Sequence, residues 1–168
     1  MNRKIMVLIL CAALLAACVG CAVAEAATKT YQLGTSGYTI EILESYTEGG
    51  RTDEDVKDDM VAYMYSPDTL LDFDVYQFSK EGYPEALAEC AALEAAEHNA
   101  TEIVTDGEIN GIAAAWYRAV ENYEGTDYTT LTYVLEDGGD YVEITFWLDG
   151  ETAEAEAQAI IDTLALAR

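Results

Sequence analysis

The sequence predicts an α+β domain: an antiparallel β-sheet covered by helices. Apolar and polar residues alternate in several stretches, as in Leu71, Phe73 and Val75 against Asp72, Asp74 and Tyr76, which is the period of a half-buried strand. Turn signals separate these stretches at hairpin spacing, among them Ser66-Pro67-Asp68, Asn110-Gly111 and Glu124-Gly125-Thr126. Helical patterns occur in the middle of the chain and at its end, and strands in hairpins with segregated helices give a helix-covered sheet.

The chain opens with Asn2-Arg3-Lys4 and an uncharged apolar run from Ile5 to Ala17. That run is too short for a spanning helix, which needs roughly 20 apolar residues. A positive start, a short apolar core and small residues at its exit make a secretory leader. Leu15-Ala16-Ala17-Cys18 closes the run and resembles the lipobox of bacterial lipoproteins. The resemblance implies cleavage before Cys18, more than one acyl chain on that cysteine, and stable anchoring at the outer side of the cell membrane. The alternative is ordinary secretion, with cleavage after Ala24 or Ala26. Residues 1–17 are thus read as signal peptide, 18–29 as lipidated cysteine and tether, and 30–168 as the domain.

The domain begins with a hairpin. Tyr31-Gln32-Leu33 and Tyr38 to Ile42 flank the glycine-bracketed turn Gly34-Thr35-Ser36-Gly37. Glu48 to Asp59 reads as a charged surface loop or a short helical turn, and strands follow at Val61–Tyr65 and Leu70–Phe78. Tyr83-Pro84-Glu85 predicts a helix start, with proline at the first helical position. Ala86, Leu87, Cys90 and Leu93 are its expected buried stripe, and His98 suits the negative pole at its end. A long meander runs from Glu102 to Leu148, with Asp106-Gly107 and Asn110-Gly111 as turns. In its last strand Val142, Ile144, Phe146 and Leu148 oppose Tyr141, Glu143, Thr145 and Trp147. A helix from Glu151 to Arg168 closes the chain on Ala153, Ala157, Ile160, Ile161 and Leu164.

The order of these elements is familiar. An opening hairpin, two strands, a helix after Ser79-Lys80, a strand opening at Gly111, two further strands and a terminal Ile160-Ile161-Asp162-Thr163-Leu164 helix resemble the PsbP-like α/β/α sandwich. Many members carry a Pro and a Trp after the second strand; here Leu43-Glu44-Ser45-Tyr46 stands instead. The resemblance implies a non-enzymatic accessory or binding role, and no family site transfers residue by residue.

Composition excludes some partners. The 168 residues include eight basic and 32 acidic ones, a formal charge of −24. Removing Arg3 and Lys4 with the leader leaves six against 32, or −26. Such a field repels phosphate backbones and anionic headgroups, so no nucleic-acid partner is expected and the lipid anchor is the sole membrane attachment.

Catalysis by a nucleophile needs an adjacent base, and the single histidine, His98, sits at a helix end. No zinc set can be assembled from one histidine and scattered cysteines. Cys90 reads as a small buried side chain, although a disulfide to Cys21 is conceivable from sequence. Asp53, Asp55, Asp72 and Asp74 are calcium candidates, but the Asp53 loop lacks the glycine and later glutamate of a calcium loop. Tyr141, Trp147 and Tyr128 are the partner-surface candidates, since exposed aromatics beside acids can grip a protein. The sequence thus predicts a monomeric, non-enzymatic, lipid-anchored extracytoplasmic module that binds a cell-envelope protein and needs no cofactor. The alternatives are a calcium- or small-ligand-binding lipoprotein and a secreted enzyme.

Overall fold

The computed structural model describes residues 26–167 apart from Leu70. The leader, Cys18 and Cys21 lie outside the described residues. A seven-stranded antiparallel sheet forms the middle layer. Its strands are β3 (Thr47–Glu48), β4 (Met60–Tyr65), β5 (Leu71–Ser79), β6 (Glu102–Ile109), β7 (Ile112–Tyr123), β8 (Thr126–Asp137) and β9 (Asp140–Leu148). They lie in the order β3-β4-β5-β9-β8-β7-β6, so β9 is central. A three-stranded sheet packs beside it, with β2 (Tyr38–Leu43) between β1 (Thr28–Gln32) and β10 (Ala165–Leu166). β1 starts two residues inside the segment read as tether.

The alternation seen in the sequence divides the large sheet into two unlike faces. Leu71, Phe73 and Val75 of β5 meet Ile144 and Phe146 of β9 on one side. The small sheet and the terminal helix α3 (Glu151–Ile161) cover this side with Ile40, Ile42, Ala153, Ala157 and Ile161. Tyr46, just after β2, is fully buried there, 5.4 Å from the Phe73 ring, and its hydroxyl donates to the Leu71 carbonyl at 2.9 Å. The other face carries a smaller cluster under α2 (Leu87–Glu97), built from Phe78, Cys90, Ala91, Tyr117, Val134 and Tyr141. The short α1 (Asp53–Lys57) realises the helical turn expected in the charged loop.

Four expectations need correction. Helix α2 starts at Leu87 rather than at Pro84, because the Tyr141 hydroxyl donates to the Pro84 and Glu85 carbonyls and holds that segment out of the helix. Its buried face is Cys90, Ala91, Glu94 and Ala95, while Ala86 and Leu93 are exposed. Helix α3 ends at Ile161 rather than Arg168; the chain turns and adds β10 to the small sheet. Asn110 reinforces that turn by donating to the Asp162 and Leu164 carbonyls.

The fourth correction concerns Asp106-Gly107, which is not a turn but a register shift inside β6. Gly107 pairs with Ala114 there. A Cβ on Gly107 would overlap the Trp116 ring and lie 3.0 Å from the Ala114 carbonyl oxygen. Gly107→Ala is therefore expected to displace Trp116 and lower stability by roughly 1–3 kcal/mol, the usual cost of overpacking. Denaturant unfolding followed by tryptophan fluorescence checks this; an unchanged midpoint would show that Trp116 moves freely.

Candidate functional site

The face beneath α2 is only partly covered, and the uncovered part is a cleft of about 490 Å³. Its floor comes from strand register. Tyr76 stands opposite Glu143, Thr132 opposite Thr145, and Thr130 opposite Trp147, all on the side away from the main core. Glu94, Glu97 and His98 overhang it from the end of α2, and Asp58 and Asp59 close the rim after α1. Tyr83 and Tyr117 complete the aromatic wall.

Two side chains in this cleft break the rule that buried polar groups are satisfied. Glu143 is 6% exposed and Glu94 9% exposed, and neither Oε1 atom has a hydrogen-bond partner among the described residues. Burial, reinforced by the neighbouring Glu94 charge, pushes the Glu143 carboxyl up to about 8. Burial also raises Glu94, with Glu97 adding to the effect and His98 opposing it. The remaining groups are better supported. Thr132 and Thr145 hydroxyls lie 3.0 Å apart. His98 Nδ1 is 2.7 Å from Glu121 Oε1, and its ring stacks on Tyr117 at 5.9 Å.

The residues singled out in the sequence are placed as follows. Trp147 lines the cleft, donating from Nε1 to Asp74 Oδ2 at 2.7 Å, with the half-buried Tyr128 edge-on to its ring at 6.0 Å. Tyr141 is fully buried beneath the segment leading into α2, so its ring is not on a surface. Burial pushes the Asp74 carboxyl up to about 6, against the Trp147 hydrogen bond and with help from Asp55 and Asp72. Asp72 accepts from the Tyr63 hydroxyl at 3.0 Å, and Asp55 closes a capping box with Thr52. The four calcium candidates therefore do not converge, and no group of three or more His, Cys, Asp or Glu among the described residues could hold a metal ion. Cys90 is buried and has no disulfide partner among the described residues, and burial pushes its thiol up to about 12.

Glu94 and Glu143 were not singled out by the sequence reading. A signal for Glu94 was present: Leu87, Cys90, Ala91, Glu94 and Ala95 follow the i, i+3, i+4, i+7, i+8 spacing of a single helix face. Glu143 shows only as a polar alternate in β9, and alternation alone does not report its burial.

A second hollow, between the β1–β2 turn and β4–β5, lacks this character. Its Gln77 Oε1 accepts from the Thr35 backbone and hydroxyl at 2.9 and 3.0 Å.

The raised Glu143 fixes a pH dependence. Between the ordinary carboxylate range and pH 8 the folded chain holds a proton that the unfolded chain has lost, so stability falls as pH rises, and the loss is complete above pH 8. Glu143→Gln is expected to flatten this slope and raise stability at pH 8 by up to roughly 4 kcal/mol. Glu108→Gln, on the exposed surface of β6, is the control for loss of one surface charge. Thermal melts between pH 5 and 8 separate the two, and equal effects would reduce the slope to general charge repulsion.

No family model matches the chain, and no curated protein matches it. Solved structures do. Cyanobacterial PsbP (CyanoP) from Synechocystis sp. PCC 6803 aligns at a TM-score of 0.61 and 8% identity, over 86% of this chain and 95% of its own. A crystal structure from Bacteroides thetaiotaomicron VPI-5482 aligns at 0.58 and 18% identity over 83% of this chain; the match spans 48% of that protein, about half its length. LpqN of Mycobacterium tuberculosis, involved in cell envelope biogenesis, aligns at 0.50 and 11% identity, over 84% and 91% of the two chains. At these identities the likeness is one of fold. With its antiparallel sheet and covering helices, this chain has a PsbP-like fold.

Proposed function

We propose that the protein is a lipid-anchored, extracytoplasmic, non-enzymatic binding module, and that the cleft under α2 receives a protein partner in the cell envelope. The observation that carries this reading is a pair of glutamates lining the cleft, Glu94 and Glu143, each with a buried carboxyl oxygen that has no partner among the described residues. Natural domains satisfy such groups unless a site requires otherwise. The fold likeness to CyanoP and to LpqN, a protein of cell envelope biogenesis, agrees with an accessory role.

The anchor rests on Leu15-Ala16-Ala17-Cys18 and the apolar run before it. Among the described residues no helix is long and apolar enough to cross a membrane. Nine residues separate Cys18 from β1, a reach of about 30 Å when extended. β1 belongs to the layer on the far side of the large sheet from the cleft. An anchor there leaves the cleft open to a partner.

Affinity capture of the tagged full-length protein from its native cells in mild detergent tests the reading. Wild type is expected to retain a stoichiometric envelope protein. The rim reversal Glu97→Lys with Glu121→Lys should lose that protein while keeping the thermal melt. Cys18→Ala should leave the membrane fraction. Undiminished capture by the rim variant would place the partner elsewhere, and membrane retention of Cys18→Ala would overturn the anchor.

A further inference from the structure

We infer that the cleft seats an alkylammonium group, held between the Glu94 and Glu143 carboxyls against the aromatic wall of Tyr76, Tyr117 and Trp147. This rests on the cleft being the binding site and goes further by assigning the chemistry of what enters it. An acidic cluster alone would say little. The added observation is Glu143, a residue of the cleft lining that is more than nine-tenths buried and whose Oε1 meets no donor among the described residues.

The lining selects the ligand class. Acids ring the cleft: Asp58, Asp59, Glu97 and Glu121 at its edge, Glu94 and Glu143 within. An anion is excluded by their charge, since the one basic side chain lining it among the described residues, His98, is tied to Glu121. A hard metal ion needs six or more converging oxygens, whereas aromatic rings form much of this wall. Those rings favour an organic cation through their quadrupoles. Glu94 and Glu143 each offer one unpartnered oxygen, and they come from different layers, helix and sheet. Donors that point in separate directions, as on an ammonium, match this better than the planar guanidinium fork, which takes both oxygens of one carboxylate.

Binding is coupled to a proton. The cleft that Glu143 lines is also lined by Glu94 and Glu97 on α2, His98 just after it, Tyr83 before it, Tyr76 on β5, Tyr117 and Glu121 on β7, and Asp58 and Asp59 after α1, with Cys90 of α2 close by. These groups are acidic or neutral apart from His98, so the cleft by itself keeps Glu143 protonated at neutral pH. An ammonium between the two carboxyls favours the ionised form, and the Glu143 proton leaves to solvent as the cation enters. Affinity therefore follows the ionised fraction of Glu143, which rises about 50-fold from pH 6 to pH 8 for a group titrating near 8.

The ammonium could belong to a free amine or to a lysine side chain, and calorimetry distinguishes them. Full-length protein in detergent would be titrated with cadaverine, N-acetyl-lysine methylamide and propylguanidinium, in two buffers of different protonation enthalpy. The expected result is ammonium binding about 50-fold tighter at pH 8 than at pH 6, with close to one proton released at pH 7. Affinity should drop at least about tenfold in Glu143→Gln, whose single charge barely alters general attraction to a chain of −24. Binding of cadaverine alone assigns a free amine; binding of the lysine amide as well assigns a partner's side chain. No ammonium binding, equal affinity at both pH values, or full affinity in Glu143→Gln overturns the inference. If capture still depends on Glu97 and Glu121, the cleft stands as the binding site and only its assigned ligand falls.

Discussion

The register of β9 is the constraint on which the rest depends. This strand lies at the centre of the seven-stranded sheet, between β5 and β8. Val142, Ile144, Phe146 and Leu148 enter the main core with Leu71, Phe73 and Val75 alongside. Side chains alternate across a strand, so that commitment sends Tyr141, Glu143, Thr145 and Trp147 to the opposite face. A slip of one residue would bury Glu143 in the apolar core and expose four large hydrophobic residues, which excludes it. The cleft floor is thus a by-product of core packing, held with the rigidity of the sheet.

What the core imposes, α2 makes consequential. Its alanine-rich face brings the helix down on Ala115, Tyr117 and Val134, and Glu143 lies buried close to Cys90 and Glu94 of that helix. Leaving a buried acceptor unsatisfied costs roughly 1–3 kcal/mol, and more when the group is charged. The chain meets that cost by keeping Glu143 protonated, and Glu94 places a second carboxyl beside it. A group that must be neutral when empty and charged when filled couples occupancy to pH without any movement of the sheet. Stability given up at such a point while the remaining layers pack densely is the usual pattern of a binding site.

Much of the fold was legible in the sequence because period-two alternation reports directly on strand faces. The faces of β5 and β9 appear where the alternation puts them, and Asn110-Gly111 and Glu124-Gly125 form tight turns with both residues at positive φ. The misplaced elements share a cause: tertiary contacts override local signals. Tyr141 claims the Pro84 and Glu85 carbonyls, Trp116 fills the space beside Gly107, and Asn110 ties down the chain after α3. The site was less legible. Aromatic content pointed to this face and to Trp147, but Tyr141 is buried. In a chain of 32 acidic residues no single glutamate stands out until a helix is laid over it.

The measurement that bears most directly on this account is the titration of the Glu143 side-chain carboxyl by carbon NMR, with the signal assigned from its loss in Glu143→Gln. The expected midpoint lies near pH 8 in the free protein and moves downward when cadaverine saturates the cleft. A midpoint in the ordinary carboxylate range, about 4–5, would show that water or a donor already satisfies Glu143, and would remove the physical basis for the site.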